Sequence, residues 1–90
     1  MSQICVMVRV TGHVQGVGFR FHTAHEGLKK GVSGYAKNLP DGSVEVLACG
    51  NAEHVEGLVE WLKVGPRLSR VDSLSRDEVV WRAVDGFEIM

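Results

Sequence analysis

The chain predicts an α+β fold: one antiparallel sheet with two helices on one face, its elements in the order β-α-β-β-α-β and a short strand at the tail. Three observations carry this. The chain opens on a run with period-two alternation, a Pro-Asp-Gly turn joins two later strand-like runs, and Val55, Leu58, Val59 and Leu62 form an apolar stripe at helical spacing. Ninety residues with 44% hydrophobic content suit one core, so a single domain over residues 1–90 is expected.

From Ile4 to Val10 the even positions are Ile, Val, Val and Val and the odd ones Cys, Met and Arg, the pattern of a strand with one buried face. After a glycine-rich segment, Phe21, Ala24, Leu28 and Val32 recur at helical spacing, with Lys29 and Lys30 in the last turn and Gly31 as a natural stop. Gly27 inside this helix costs about 1 kcal/mol relative to alanine, and a close approach of helix to sheet would explain it. Ser33 to Asn38 and Val44 to Cys49 read as antiparallel strands joined by Leu39-Pro40-Asp41-Gly42. Asn51 caps the second helix, which stops at Gly65-Pro66 and turns Glu53, Glu56 and Glu60 to solvent. Val71 to Arg76 is a fourth strand and Phe87 to Met90 a short last one, while Trp61 and Trp81 read as core or edge packing. This is the ferredoxin-like split arrangement, in which strand three lies between strands one and two and runs opposite to both. Met7, Tyr35 and Leu47 fall on its open sheet face, where they offer apolar surface for self-association.

Between strand one and helix one, Gly12-His13-Val14-Gln15-Gly16-Val17-Gly18-Phe19-Arg20 sets three glycines and an arginine within nine residues. Glycine reaches positive φ and lets the backbone approach a ligand, so successive N–H groups can turn inward as a cradle for phosphate oxygens. The helix that follows adds the positive end of its dipole. Arg20 adds a planar fork that grips phosphate or carboxylate through two parallel hydrogen bonds. The segment is not a P-loop, because no Gly-Lys-Ser/Thr follows, nor a dinucleotide fingerprint, because its glycines fall at 12, 16 and 18. Strands one and two are parallel, so Asn38 ends on the same sheet edge as the loop, roughly 9 to 10 Å away. An arginine, a phosphate and a water together fill such a gap. Asn38 is thereby a candidate to position something over the cradle, although an Asn before Leu-Pro-Asp-Gly is also an ordinary turn residue.

Ten Lys and Arg against eleven Asp and Glu leave a net charge of −1, which argues against the basic face that nucleic-acid binding needs. No stretch reaches the length of a membrane span and the first residues lack the pattern of a signal peptide, so a cytoplasmic protein is expected. Cys5 and Cys49 are too few for a zinc framework, and a reducing cytosol favours free thiols. Their placement argues the other way. The start of strand one lies near the end of strand three, and both cysteines face away from the valines, so a cross-strand disulfide is sterically possible and the choice stays open. His22 and His25, three apart, are weak evidence for a metal, and no metal and no cofactor are expected.

Two long segments carry a family resemblance. Val10-Thr11-Gly12-His13-Val14-Gln15-Gly16-Val17-Gly18-Phe19-Arg20, and Gly34-Tyr35-Ala36-Lys37-Asn38-Leu39-Pro40-Asp41-Gly42-Ser43-Val44 through Gly50, resemble the two signatures of the acylphosphatases, and the likeness covers nearly the whole chain. The chain departs from the family at its end, where Phe87-Glu88-Ile89-Met90 replaces a Phe-x-Ile/Val-x-Arg/Tyr pattern. The resemblance implies hydrolysis of acyl phosphates to a carboxylate and inorganic phosphate. It implies that His13 to Phe19 offer backbone amides to phosphate, that Arg20 binds it, and that Asn38 orients the attacking water. His13 itself is peripheral, since its place in the motif tolerates other residues. An acyl phosphate has a carboxylate leaving group of pKa about 4 to 5, so its expulsion needs no general acid. A monomer acting on a small molecule is expected. The alternative is a non-catalytic anion or carbamoyl-phosphate binding module of the same fold, which would keep Arg20 and Asn38.

Overall fold

In the computed structural model, which describes residues 2–90, the opening alternation becomes β1 (Gln3–His13), with Val6, Val8 and Val10 fully buried on one face. The strand outruns its apolar pattern because β4 (Arg70–Val79) pairs with it as far as His13. A bulge between Thr11 and Gly12 accommodates the mismatch in register. Gly12 has φ 131°, and a side chain there would lie 2.1 Å from the Arg70 carbonyl oxygen. This first glycine of the motif therefore serves the strand pair.

The helix that follows, α1 (Phe19–Lys29), corrects the expected stripe. Phe21 and Leu28 are 70% and 57% exposed, and the inward residues are Phe19, Thr23, Ala24 and Gly27. Val32 is buried, but beyond the helix end. The face is fixed by Phe19, which is drawn into the core at the first position, and the small residues behind it let the helix lie close to its neighbours. At Gly27 a side chain would come within 2.5 Å of the Phe87 ring, which accounts for the glycine.

β2 (Ser33–Asn38) and β3 (Val44–Asn51) form the expected hairpin, closed by the Leu39 amide on the Ser43 carbonyl at 2.9 Å. Asn51 caps α2 (Ala52–Leu62) by accepting from the Glu53 amide at 3.0 Å, and Val55, Leu58, Val59 and Leu62 are buried as the stripe demands. The three glutamates of α2 are exposed, with Glu56 paired to Arg76 of β4 and Glu60 to Lys63. Both helices cover the valine face of the sheet, the ferredoxin-like arrangement.

The sheet order is β4-β1-β3-β2-β5, with β5 spanning Phe87–Ile89. It is mixed, whereas the sequence pattern predicts antiparallel pairing throughout, because β5 runs parallel to β2. The cause is the route of the chain. β4 ends beside the start of β1, residues 80–86 cross the sheet, and β5 enters beside Gly34 at the start of β2. That crossing also closes the face expected to be open. Leu47 is fully buried and Met7 and Tyr35 are half-buried, in a second apolar cluster with Cys5, Cys49, Val79 and Val84. Cys5 and Cys49 are directly paired across β1 and β3 and joined as a disulfide, their Cα atoms 4.1 Å apart. Trp61 packs on the main core and Trp81 is 46% exposed beside the second cluster. Among the described residues no helix is long and apolar enough to cross a membrane.

Candidate active site

The loop from β1 to α1 is pinned at both ends by apolar side chains, Val14 and Phe19, each 1% exposed. Between them Gly16 and Gly18 adopt φ of 76° and 74°, the left-handed conformation that turns successive amides to one side. Gly18 is also the N-cap of α1. It offers no side-chain hydrogen bond, and the first turn carries no acidic residue. The N–H groups that begin an α-helix have no partner within it. Here no cap side chain takes them, so the helix presents open donors and a positive dipole end to the space beside the loop.

That space is a cavity of about 200 Å3, walled by Gly16, Gly18, Arg20, Phe21, Asn38 and Ile89. Arg20 comes from the first turn of α1 and Asn38 from the last position of β2, two strands away. Arg20 Nη1 donates to the Met90 carbonyl oxygen at 2.7 Å, and the Asn38 amide donates to the same oxygen at 3.4 Å. Guanidinium has five donors, so the anchor at Met90 leaves most of the fork for a ligand. The side-chain oxygen of Asn38 is buried and has no hydrogen-bond partner. Gln15 spans the remaining gap: its Nε2 donates to the carbonyls of Leu39 and Ser43 at 2.8 and 2.9 Å, tying the loop to the hairpin that bears Asn38.

The hairpin tip is itself braced. Asp41 accepts from the Ser43 amide at 2.9 Å and from the Ser43 hydroxyl at 2.5 Å, and Arg9 of β1 pairs with it from the other side. Chiefly the Ser43 hydroxyl, with its amide and Arg9 adding, lowers the Asp41 carboxyl to a pKa of about 2. On the far face of the sheet, burial and a 2.7 Å hydrogen bond to Glu45 push the Tyr35 phenol up to about 12. Among the described residues no Asp, Glu, Cys or His side chain lines the cavity. The arrangement can hold an anion by amides and guanidinium and orient a water by an amide side chain; it offers no side-chain nucleophile.

A family model described as Acylphosphatase matches residues 6–89. The chain belongs to that family. It is 65% identical over 89 residues to the acylphosphatase of Photobacterium profundum, spanning 99% of both chains. Its fold superposes on an acylphosphatase from Coxiella burnetii with a TM-score of 0.94 at 34% identity, covering 98% of this chain and 93% of that one. With the acylphosphatase from Bacillus subtilis the score is 0.93 at 35% identity, covering 97% and 98%.

Against the signature shared with the acylphosphatases, the structure gathers Val14, Gly16, Gly18, Phe19, Arg20 and Asn38 at one cavity. It sets His13 apart, exposed on β1 and paired with Arg70. Gln15 points its side chain to the hairpin, and Val17 faces a neighbouring groove. His22 and His25 are exposed, and among the described residues no three His, Cys, Asp or Glu side chains group as metal ligands. Two features of the site have no local signal in the sequence. Gln15 as a brace and Met90 as the anchor of Arg20 depend on contacts between residues 24 to 70 positions apart, which no local pattern announces.

Proposed function

We propose that the protein cleaves the carboxyl–phosphate bond of acyl phosphates, giving a carboxylate and inorganic phosphate, with the phosphoryl group held by Arg20 and the amides of residues 13–19 and the attacking water held by Asn38. The reaction comes with membership of the acylphosphatase family. The observation that carries the assignment of roles is that Asn38 lines the same cavity as Arg20 and the uncapped start of α1, although the two come from elements two strands apart.

Phosphoryl transfer proceeds through a loose transition state with charge spread over three equatorial oxygens. The loop amides and the free edge of Arg20 stabilise that charge without reorganising. The water oxygen bonds to phosphorus as the bond from phosphorus to the acyl oxygen breaks. The electron pair of that bond leaves on the carboxylate. Asn38 can accept from the water but is no base, so the water proton goes to a phosphate oxygen. The same reading makes the chain a single domain working as a cytoplasmic monomer with no cofactor, and sedimentation of the purified protein tests the oligomeric part.

Hydrolysis of benzoyl phosphate in the presence of chelator tests the reaction. Arg20→Ala and Asn38→Ala are each expected to lower kcat by about a hundredfold to a thousandfold while the folded state persists. A folded wild type without turnover would instead leave an anion-binding module.

A further inference from the structure

We infer that the groove beside the phosphate cradle is the subsite for the acyl group, and that Arg67 in it selects acyl phosphates carrying a second anionic group. The inference rests on the reaction proposed above and names the substrate class for it. The cradle cavity, about 200 Å3, has room for a phosphoryl group, a water and a small acyl part such as acetyl, and a larger acyl part must extend beyond it. A larger groove of about 430 Å3 adjoins the loop, formed by Val17, His22, Trp61, Pro66, Arg67 and Leu68.

In-line attack fixes the direction of departure. Water held by Asn38 approaches from the β2 side, so the leaving carboxylate points away from β2, toward β1 and β4. The segment from Pro66 to Leu68 leads into β4 and lies on that side. Gly18 walls the cradle and His22 the groove, and a Cβ on Gly18 would lie 3.4 Å from the His22 ring, so the two spaces adjoin there.

The turn bearing Arg67 is held in place. The Ser69 amide and hydroxyl donate to the Pro66 carbonyl at 3.0 and 2.7 Å. Gly65, at φ 75°, lets the turn lie on Phe19 of the loop, where a side chain would come 2.9 Å from the ring. Trp61 stacks at a tilt on the same Phe19, with centroids 6.5 Å apart. One wall is thus apolar, and Leu68 is 73% exposed on it with nothing covering it. The polar lining is Arg67 and His22, with no carboxylate, and Arg67 is in no ion pair among the described residues. An acyl group that lies along Trp61 and Leu68 and ends in a carboxylate or phosphate matches that lining.

The test compares kcat/KM for acetyl phosphate and for succinyl phosphate, which carries a distal carboxylate. In Arg67→Ala the succinyl-to-acetyl ratio is expected to fall about fivefold, the strength of a solvent-exposed charge pair. In Arg67→Glu it falls further, chiefly through KM, and the difference shrinks in about 0.5 M salt. Leu68→Ser lowers the ratio for benzoyl over acetyl phosphate about threefold. If the wild type hydrolyses acetyl phosphate and none of these ratios moves, the subsite is overturned and the reaction stands. If the folded wild type hydrolyses no acyl phosphate, the reaction fails and the inference falls with it.

Discussion

α1 and α2 have the same length, eleven residues, and cover the same face of the sheet, yet they are built by opposite rules. α2 has a side-chain cap, an acid in its first turn and four branched apolar residues turned inward. α1 has a glycine cap, no first-turn acid, and only one large side chain, Phe19, among its buried residues. The function proposed above accounts for the difference. A cap side chain or a first-turn carboxylate at α1 would occupy the donors and repel the phosphate that the proposal places there. α2 is held by the ordinary means, a capped N-terminus and a full apolar stripe.

Deleting a core side chain of the ordinary helix gives the largest separation of stability from activity. Leu58→Ala should lower the folding free energy by about 2–5 kcal/mol in denaturant titration and keep turnover per folded molecule, the inverse of the outcome expected for Arg20→Ala. Next come the two interior glycines, whose replacement by alanine should act with opposite sign. Gly27→Ala forces a methyl to within 2.5 Å of the Phe87 ring, an expected loss of about 1–3 kcal/mol, partly recovered by Phe87→Leu. Gly57→Ala meets only the flexible side chain of Lys30 at 3.8 Å, so helix propensity decides and stability rises by about 0.5–1 kcal/mol. Equal signs at the two positions would end the contrast between the helices.

Asn51→Ala should cost about 1 kcal/mol through the lost cap of α2, with no change in kcat beyond the folded fraction. The smallest effect lies in the hairpin that carries Asn38. Asp41 titrates near 2 in the folded chain against 3.8 for a free carboxyl, so its contribution is full above 3.8 and is lost as pH falls through about 2. Unfolding midpoints measured across that window should fall less steeply in Asp41→Asn than in the wild type.

Much of this was legible in the chain where burial follows one period. β1 and α2 each turn a regular set of apolar residues inward, and the Pro-Asp-Gly turn marks the hairpin between them. α1 hid its face because its inward positions after Phe19 are the small residues Thr23, Ala24 and Gly27, the last of them lying close against Phe87 sixty residues on. The parallel β5 was hidden for a related reason: residues 80–86 carry no periodicity, and only their crossing of the sheet sets its direction. At the site, Arg20, the glycines and Asn38 could be brought to one edge from strand phase alone. The struts that set their spacing, Gln15 on the hairpin carbonyls and Met90 on Arg20, are tertiary contacts.

The Cys5–Cys49 bridge gives the chain a covalent topology as well as a folded one. It closes a ring that contains the glycine loop, α1, β2 and the hairpin, so Arg20 and Asn38 are both links of the same ring. A protease that cuts the exposed turn at Gly31 separates the two residues along the chain and yet leaves them on one molecule. Only a cut followed by reduction makes them parts of different fragments, so the damaged protein keeps the means to reassemble its own site.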